Sequence, residues 1–243
     1  MTRGNMIKLF LLFALFQMPV HYVSDAHLVV YHPASIDTTT AHDYLTLLSG
    51  MYSADADKFG LETVGRLGVR LCRSAYDFSN LTGADSSLSP LWRNKELYVI
   101  ARGSPDDPEF RAALEAGILH GILDQLRING APRWLIYAAA VYESGEYEEY
   151  TAPPVESVKY FSDLDEKIQE ANTPDNLADL YFYLGNTGKF FDLKFGVGAF
   201  VKLVKEFRRE TSFDAAVKNL FHMTGSQVER EWREFLARQI KSE

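Results

Sequence analysis

The chain has 243 residues, 47% hydrophobic and 13% aromatic, enough apolar side chain to bury a core as one large domain or two small ones. Its formal charge is −8, and Lys and Arg form no stripe along it, so the clustered positive charge that binds phosphate backbones is missing and a nucleic-acid partner is excluded. Abundant Phe and Tyr and the lack of low-complexity segments exclude a largely disordered chain.

The N-terminus reads MTRGNMIKLFLLFALFQMPVHYVSDA, with Arg3 and Lys8 ahead of the apolar run Leu9 to Phe16. Ser24 and Ala26 supply small residues at −3 and −1 of a cut before His27. Residues 1–26 therefore read as a secretory signal peptide, and the protein as exported, periplasmic or secreted. The apolar run is shorter than the ~20 residues a span requires, so no stable membrane insertion is expected after cleavage. An uncleaved anchor extending through Val20 is the alternative. Removing residues 1–26 takes away two cations and one anion, Arg3, Lys8 and Asp25, which moves the charge from −8 to −9. Cys72 is the single cysteine, so no internal disulfide can form. Its setting, RLGVRLC, reads as a strand with a buried thiol rather than a nucleophile.

After the cut, HLVVYHP has the pattern of a short strand ended by Pro33. Thr38 to Phe59 carries apolar residues at helical recurrence, and Gly60 closes it. RLGVRLC is a second strand, SAYDFSNLTG a short helix or turn, ADSSLSPLWRN a polar loop and ELYVIA a third strand. Asp106-Asp107-Pro108 opens a helix running to about Ile128 and stopped by Asn129-Gly130, with acids at its positive end. Pro132 starts another, lasting to about Glu143.

The loop SGEYEEYTAPP marks the boundary between two lobes, and helices follow at 162–171, 175–188, 193–209 and 212–222. The basic group Lys205, Arg208 and Arg209 falls at a helix end, where positive charge suits the dipole. Ser226 with Glu229 three residues on reads as a capping box for the last helix. The fold class is α+β: an N-terminal lobe over 27–145 with a small sheet and helices, then a helical lobe over 146–243.

Two stretches carry the chemistry. EAGILHGILDQ (115–125) holds an isolated His120 in an apolar helix, and PRWLIYAAAVY (132–142) follows on the next. Together they resemble the peptidase MA-like domains, relatives of the gluzincin zinc metallopeptidases. There one helix carries His-Glu-x-x-His, and the next carries a glutamate in a frame like Pro-x-Trp-Leu-x-Glu-Gly-x-Ala-x-Tyr. Pro132, Trp134, Leu135, Ala140 and Tyr142 fall in that frame. RLGVRLCRSAYDFSNLTG resembles the family's N-terminal part. The tail from LYFYLGNTGKFF to the final helix, with Gly225, Ser226, Glu229 and Trp232, resembles its helical end. The likeness thus covers nearly all of 27–240 and implies zincin-like core helices.

The departures decide what the resemblance implies. With His120 as the second histidine, Ala116 stands for the first, Gly117 for the catalytic glutamate and Tyr137 for the third ligand. A catalytic zinc needs three protein ligands and a water. Ala116 and Gly117 have no side-chain donor, and Tyr137 ligates only after losing a proton from a pKa near ~10. Glu115 lies about 140° round the helix from His120 and cannot face the same ion. Folding of Glu143, Glu146, Glu148 or Glu149 over the site is the rescue that remains.

His27 and His32 sit at odd spacing on one strand and point to opposite faces. His222 reads as a partly buried structural residue. KFGVG lacks the lysine and spacing of a phosphate loop. Tyr137 is expected to pack over Ala116 and Gly117, with its hydroxyl on His120 or water.

The expectation is a protein without catalytic or metal-binding residues and without a cofactor: an exported pseudopeptidase whose old cleft takes a peptide or protein partner. Trp134 and the boundary-loop residues Tyr147 and Tyr150 are the candidate ligand contacts. The alternatives are a zinc metallopeptidase with replacement ligands and a purely structural exported protein.

Overall fold

Strand propensity and alternation build the first half. In the computed structural model, which describes residues 20–61, 65–102, 107–124, 126–127, 130–153, 158–171, 173–209 and 211–242, five strands form one mixed sheet. They are β1 (Val20–Ser24), β2 (Leu28–Pro33), β3 (Leu67–Cys72), β4 (Leu91–Arg93) and β5 (Glu96–Ile100), in the order β1-β2-β3-β5-β4. β2, β3 and β5 run parallel, and the two edges, β1 and β4, are antiparallel to their neighbours. Arg3, Lys8, the run Leu9 to Phe16, Asp106, Ile128 and Asn129 lie outside the described residues.

Sequence reading placed no strand at β1 or β4. β1 falls inside the segment read as a signal, yet it pairs with β2 from Val20↔Pro33 to Ser24↔Val29 and buries Val23. The cut before His27 falls in the turn that joins them. There Asp25 Oδ1 accepts from the backbone N–H of His27 and Leu28, and Ser49 Oγ donates to Oδ2. β4 lies within the stretch read as polar loop. It is three residues long and joined to β5 by Asn94 and Lys95 at φ 51° and 66°, so alternation alone was too short to mark it.

One sheet face, with Val30, Val69, Leu97 and Val99, packs on α1 (Thr38–Phe59) and α3 (Pro108–Asp124). The opposite face is covered by α2 (Ala75–Thr82), where Cys72, Phe78 and Tyr98 form a small core. Burial pushes the Cys72 thiol up to about 11, with Asp77 adding to the effect, in keeping with an inert buried sulfur. α3 approaches the sheet along a glycine stripe. A Cβ at Gly117 would run into Leu97 Cδ1, and one at Gly121 would meet the Trp92 ring at 2.8 Å.

The second half is helical: α4 (Arg133–Glu143), α5 (Phe161–Glu170), α6 (Pro174–Phe195), α7 (Ala199–Glu206), α8 (Phe213–Phe221) and α9 (Gly225–Ser242). α4, placed by sequence in the first lobe, shares its apolar core with the helices that follow it. At the centre Trp232 is fully buried and its Nε1–H donates to Thr187 Oγ1 at 3.0 Å.

Three expectations are corrected here. α6 runs on to Phe195 rather than stopping at 188, so the break before the next helix is displaced by about two turns. Its Gly185 and Gly188 do not end it, because the missing side chains let the Tyr147 and Tyr142 rings press against its backbone. The break comes at Gly196 and Gly198, with φ 96° and 79°. The cap of α9 is Thr224 with Gln227, each bonding the other's backbone N–H. Glu229 instead accepts from the Phe161 N–H at 2.7 Å, tying α9 to α5. His222 is exposed and closes α8 in the left-handed conformation at φ 55°.

Candidate functional site: the cavity at His120 and Tyr137

α3 puts Ala116 and His120 four residues apart on one face, and α4 puts Arg133 and Tyr137 in the same relation. The two faces meet at a cavity of about 430 Å³, walled also by the β4 edge, Glu146 and Tyr181. Ala116, Gly117, His120 and Tyr137, the four positions aligned on a zinc site, all line it.

The Tyr137 ring lies 3.9 Å from the His120 ring, centroid to centroid. It covers His120 rather than the gap at Gly117, which Leu97 fills from the sheet. Its hydroxyl accepts from Arg133 Nη2 at 3.4 Å, not from His120. The Arg133 guanidinium also stands 5.3 Å from the Tyr137 ring centre.

His120 is 7% exposed, and its Nε2 has no hydrogen-bond partner among the described residues. Burial first, and the Arg133 charge second, push its pKa down to about 3, so the imidazole is neutral near pH 7. Arg133 Nε is likewise buried, with no partner among the described residues. The wall carries four cations, Arg93, Lys95, Arg127 and Arg133, against the carboxylates of Asp124 and Glu146. Asp124 bonds Arg127 at 3.2 Å.

Zinc does not fit these residues. His120 is the one imidazole at the aligned positions, Tyr137 is engaged by a cation, and the Arg133 charge opposes a metal ion. Among the described residues no three His, Cys, Asp or Glu side chains are placed to share a metal. Of the loop acids, Glu146 reaches the cavity, whereas Glu143 pairs with Lys58 at 2.5 Å and Glu148 is exposed.

The candidate ligand contacts fall elsewhere. Trp134 is 3% exposed, stacked on Phe161 at 4.3 Å inside the helical core, about 100° round α4 from Arg133. Tyr147 packs against Gly185, and Tyr150 meets Tyr181 edge-on at 5.4 Å. None of the three lines the cavity. Sequence reading missed Arg133, Trp92 and Lys95. Arg133 was findable, since it stands four residues before Tyr137 on one helix face.

No family model matches the chain, and no curated protein matches it in sequence.

A second buried titratable group lies away from the cavity. Asp55 of α1 is 3% exposed, and its Oδ2 has no partner among the described residues. Burial, followed by the Glu115 charge, raises its pKa to about 7; Lys58 opposes and Glu143 adds to the shift.

Proposed function

We propose that the protein is an exported, catalytically inactive relative of the zinc metallopeptidases, a pseudopeptidase whose cleft binds a peptide or a segment of another protein. The resemblance across 27–240 and the N-terminal export pattern supply the frame. The observation that carries the reading is the cavity itself: the four aligned positions converge on it, with no side-chain donor at two of them and, at a third, a tyrosine ring engaged by Arg133. β4 is the sheet edge at that cavity, so an extended peptide binds by adding a strand to it.

The test is retention of peptides from a random-sequence library by the purified protein, beside an Ala113→Trp variant. Ala113 is half-buried on the cavity wall, so the indole fills the cleft. Peptides retained by the wild type and lost by the variant support the reading. Equal retention, or none, defeats it. Zinc content after metal loading, beside His120→Ala, checks the alternative: about one zinc per chain, lost in the variant, restores the metallopeptidase reading.

A further inference from the structure

We infer that the cavity holds a carboxylate at His120 and Arg133, beside the positions aligned on the zinc site of the resembled enzymes. The inference rests on the cleft reading above and names the group that the cleft grips.

Two buried polar atoms at this place have no partner among the described residues, His120 Nε2 and Arg133 Nε. Both belong to residues lining the same cavity, and Tyr137 links them, its ring against the imidazole and its hydroxyl on the guanidinium. Leaving such donors unsatisfied under burial is unfavourable, and a group that satisfies both gains what they lack. The guanidinium is donor-only, and its planar N–H edge matches a carboxylate. The neutral imidazole with its proton on Nε2 donates to the same acceptor.

Charge narrows the class further. In a chain of net charge −8, four cations against two carboxylates make the cavity wall locally positive. Asp124 and Glu146 limit how much negative charge it accepts, so a monoanion suits it better than a doubly charged phosphate. Two sources present this chemistry: the C-terminus of a peptide lying along β4, and a small free acid.

Three probes separate the sources. They are acetate, N-acetyl-trialanine with a free C-terminus, and the same peptide as its C-terminal amide. Each is titrated into the purified protein with ¹⁵N-labelled His and Arg, following the His120 and Arg133 side-chain signals. A peptide acid that moves both signals and binds about tenfold or more tightly than the amide supports the inference, with a chain terminus as the source. Acetate binding as tightly as the peptide acid supports it with a free acid as the source. Arg133→Gln removes the preference for acid over amide, and Arg133→Lys, which keeps the charge, retains part of it.

Acid and amide binding equally well overturns the carboxylate while leaving the peptide cleft standing. No probe moving either signal also overturns it, and the library experiment then judges the cleft reading independently.

Discussion

The ring of Tyr137 lies 3.9 Å from that of His120 and shields it. Removing it should show in both titration and stability. In Tyr137→Ala water reaches the imidazole, and the His120 pKa climbs from about 3 towards its ordinary range near ~6.5. NMR titration reads this directly, and a ring still neutral at about pH 5 in the variant would count against the shielding role. Loss of a half-buried aromatic costs about 1–2 kcal/mol, less than the ~3–5 of a fully buried one. The wild type has its own sign. A depressed histidine pKa gives stability that is whole above ~6.5 and is lost as pH falls towards about 3.

Asp55 behaves in the opposite sense. Its folded pKa of about 7 lies above the ordinary 3.8, so folding takes up a proton between those values. The contribution is most favourable below 3.8 and disappears as pH rises through about 7, where a buried carboxylate faces Glu115 and Glu143. Asp55→Asn should therefore stabilise the protein at pH ~8, by an amount on the order of 2 kcal/mol. The advantage shrinks on acidification. Chemical denaturation at several pH values checks it, and an advantage that grew in acid would contradict the assignment.

Gly117 tests how closely α3 packs on the sheet. In an open helix Gly→Ala gains up to ~1 kcal/mol. Here the added Cβ strikes Leu97, which is fully buried in the sheet, so Gly117→Ala should destabilise by about 1–3 kcal/mol. Combining it with Leu97→Ala should recover part of that loss, a coupling that a double-mutant cycle measures. Additive effects would mean that the contact does not limit the packing.

β1 has a direct consequence for processing. A chain beginning at His27 lacks the strand, buried Val23 and the Asp25 bonds that hold the turn, whereas one beginning at Val20 keeps them. The shorter chain should be less stable by about 2 kcal/mol or more. Thermal melts of the two compare them, and equal midpoints would show β1 to be dispensable.

Local pattern was enough for much of the molecule. The helix Thr38–Phe59 with Gly60 behind it and the strands over 67–72 and 96–100 were legible because periodicity and caps act within a few residues. So were the loss of donors at Ala116 and Gly117 and the inert setting of Cys72, because they follow from side-chain chemistry. β1 and β4 were not legible, since edge strands are fixed by the neighbour that pairs with them. The continuation of α6 past 188 was missed because Gly188 looks like a stop until the Tyr142 ring is seen to fill the space beside it. Trp134 went to the core, and Arg133 to the cavity, for a reason that no spacing states: the packing of α4 against two sets of helices decides which of its faces is closed. Side-chain chemistry alone denies metal ligation to Ala116 and Gly117. That they share a cavity with His120 and Tyr137, and that Arg133 of the next helix lines it too, depends on how α3 packs against α4, which no local pattern states.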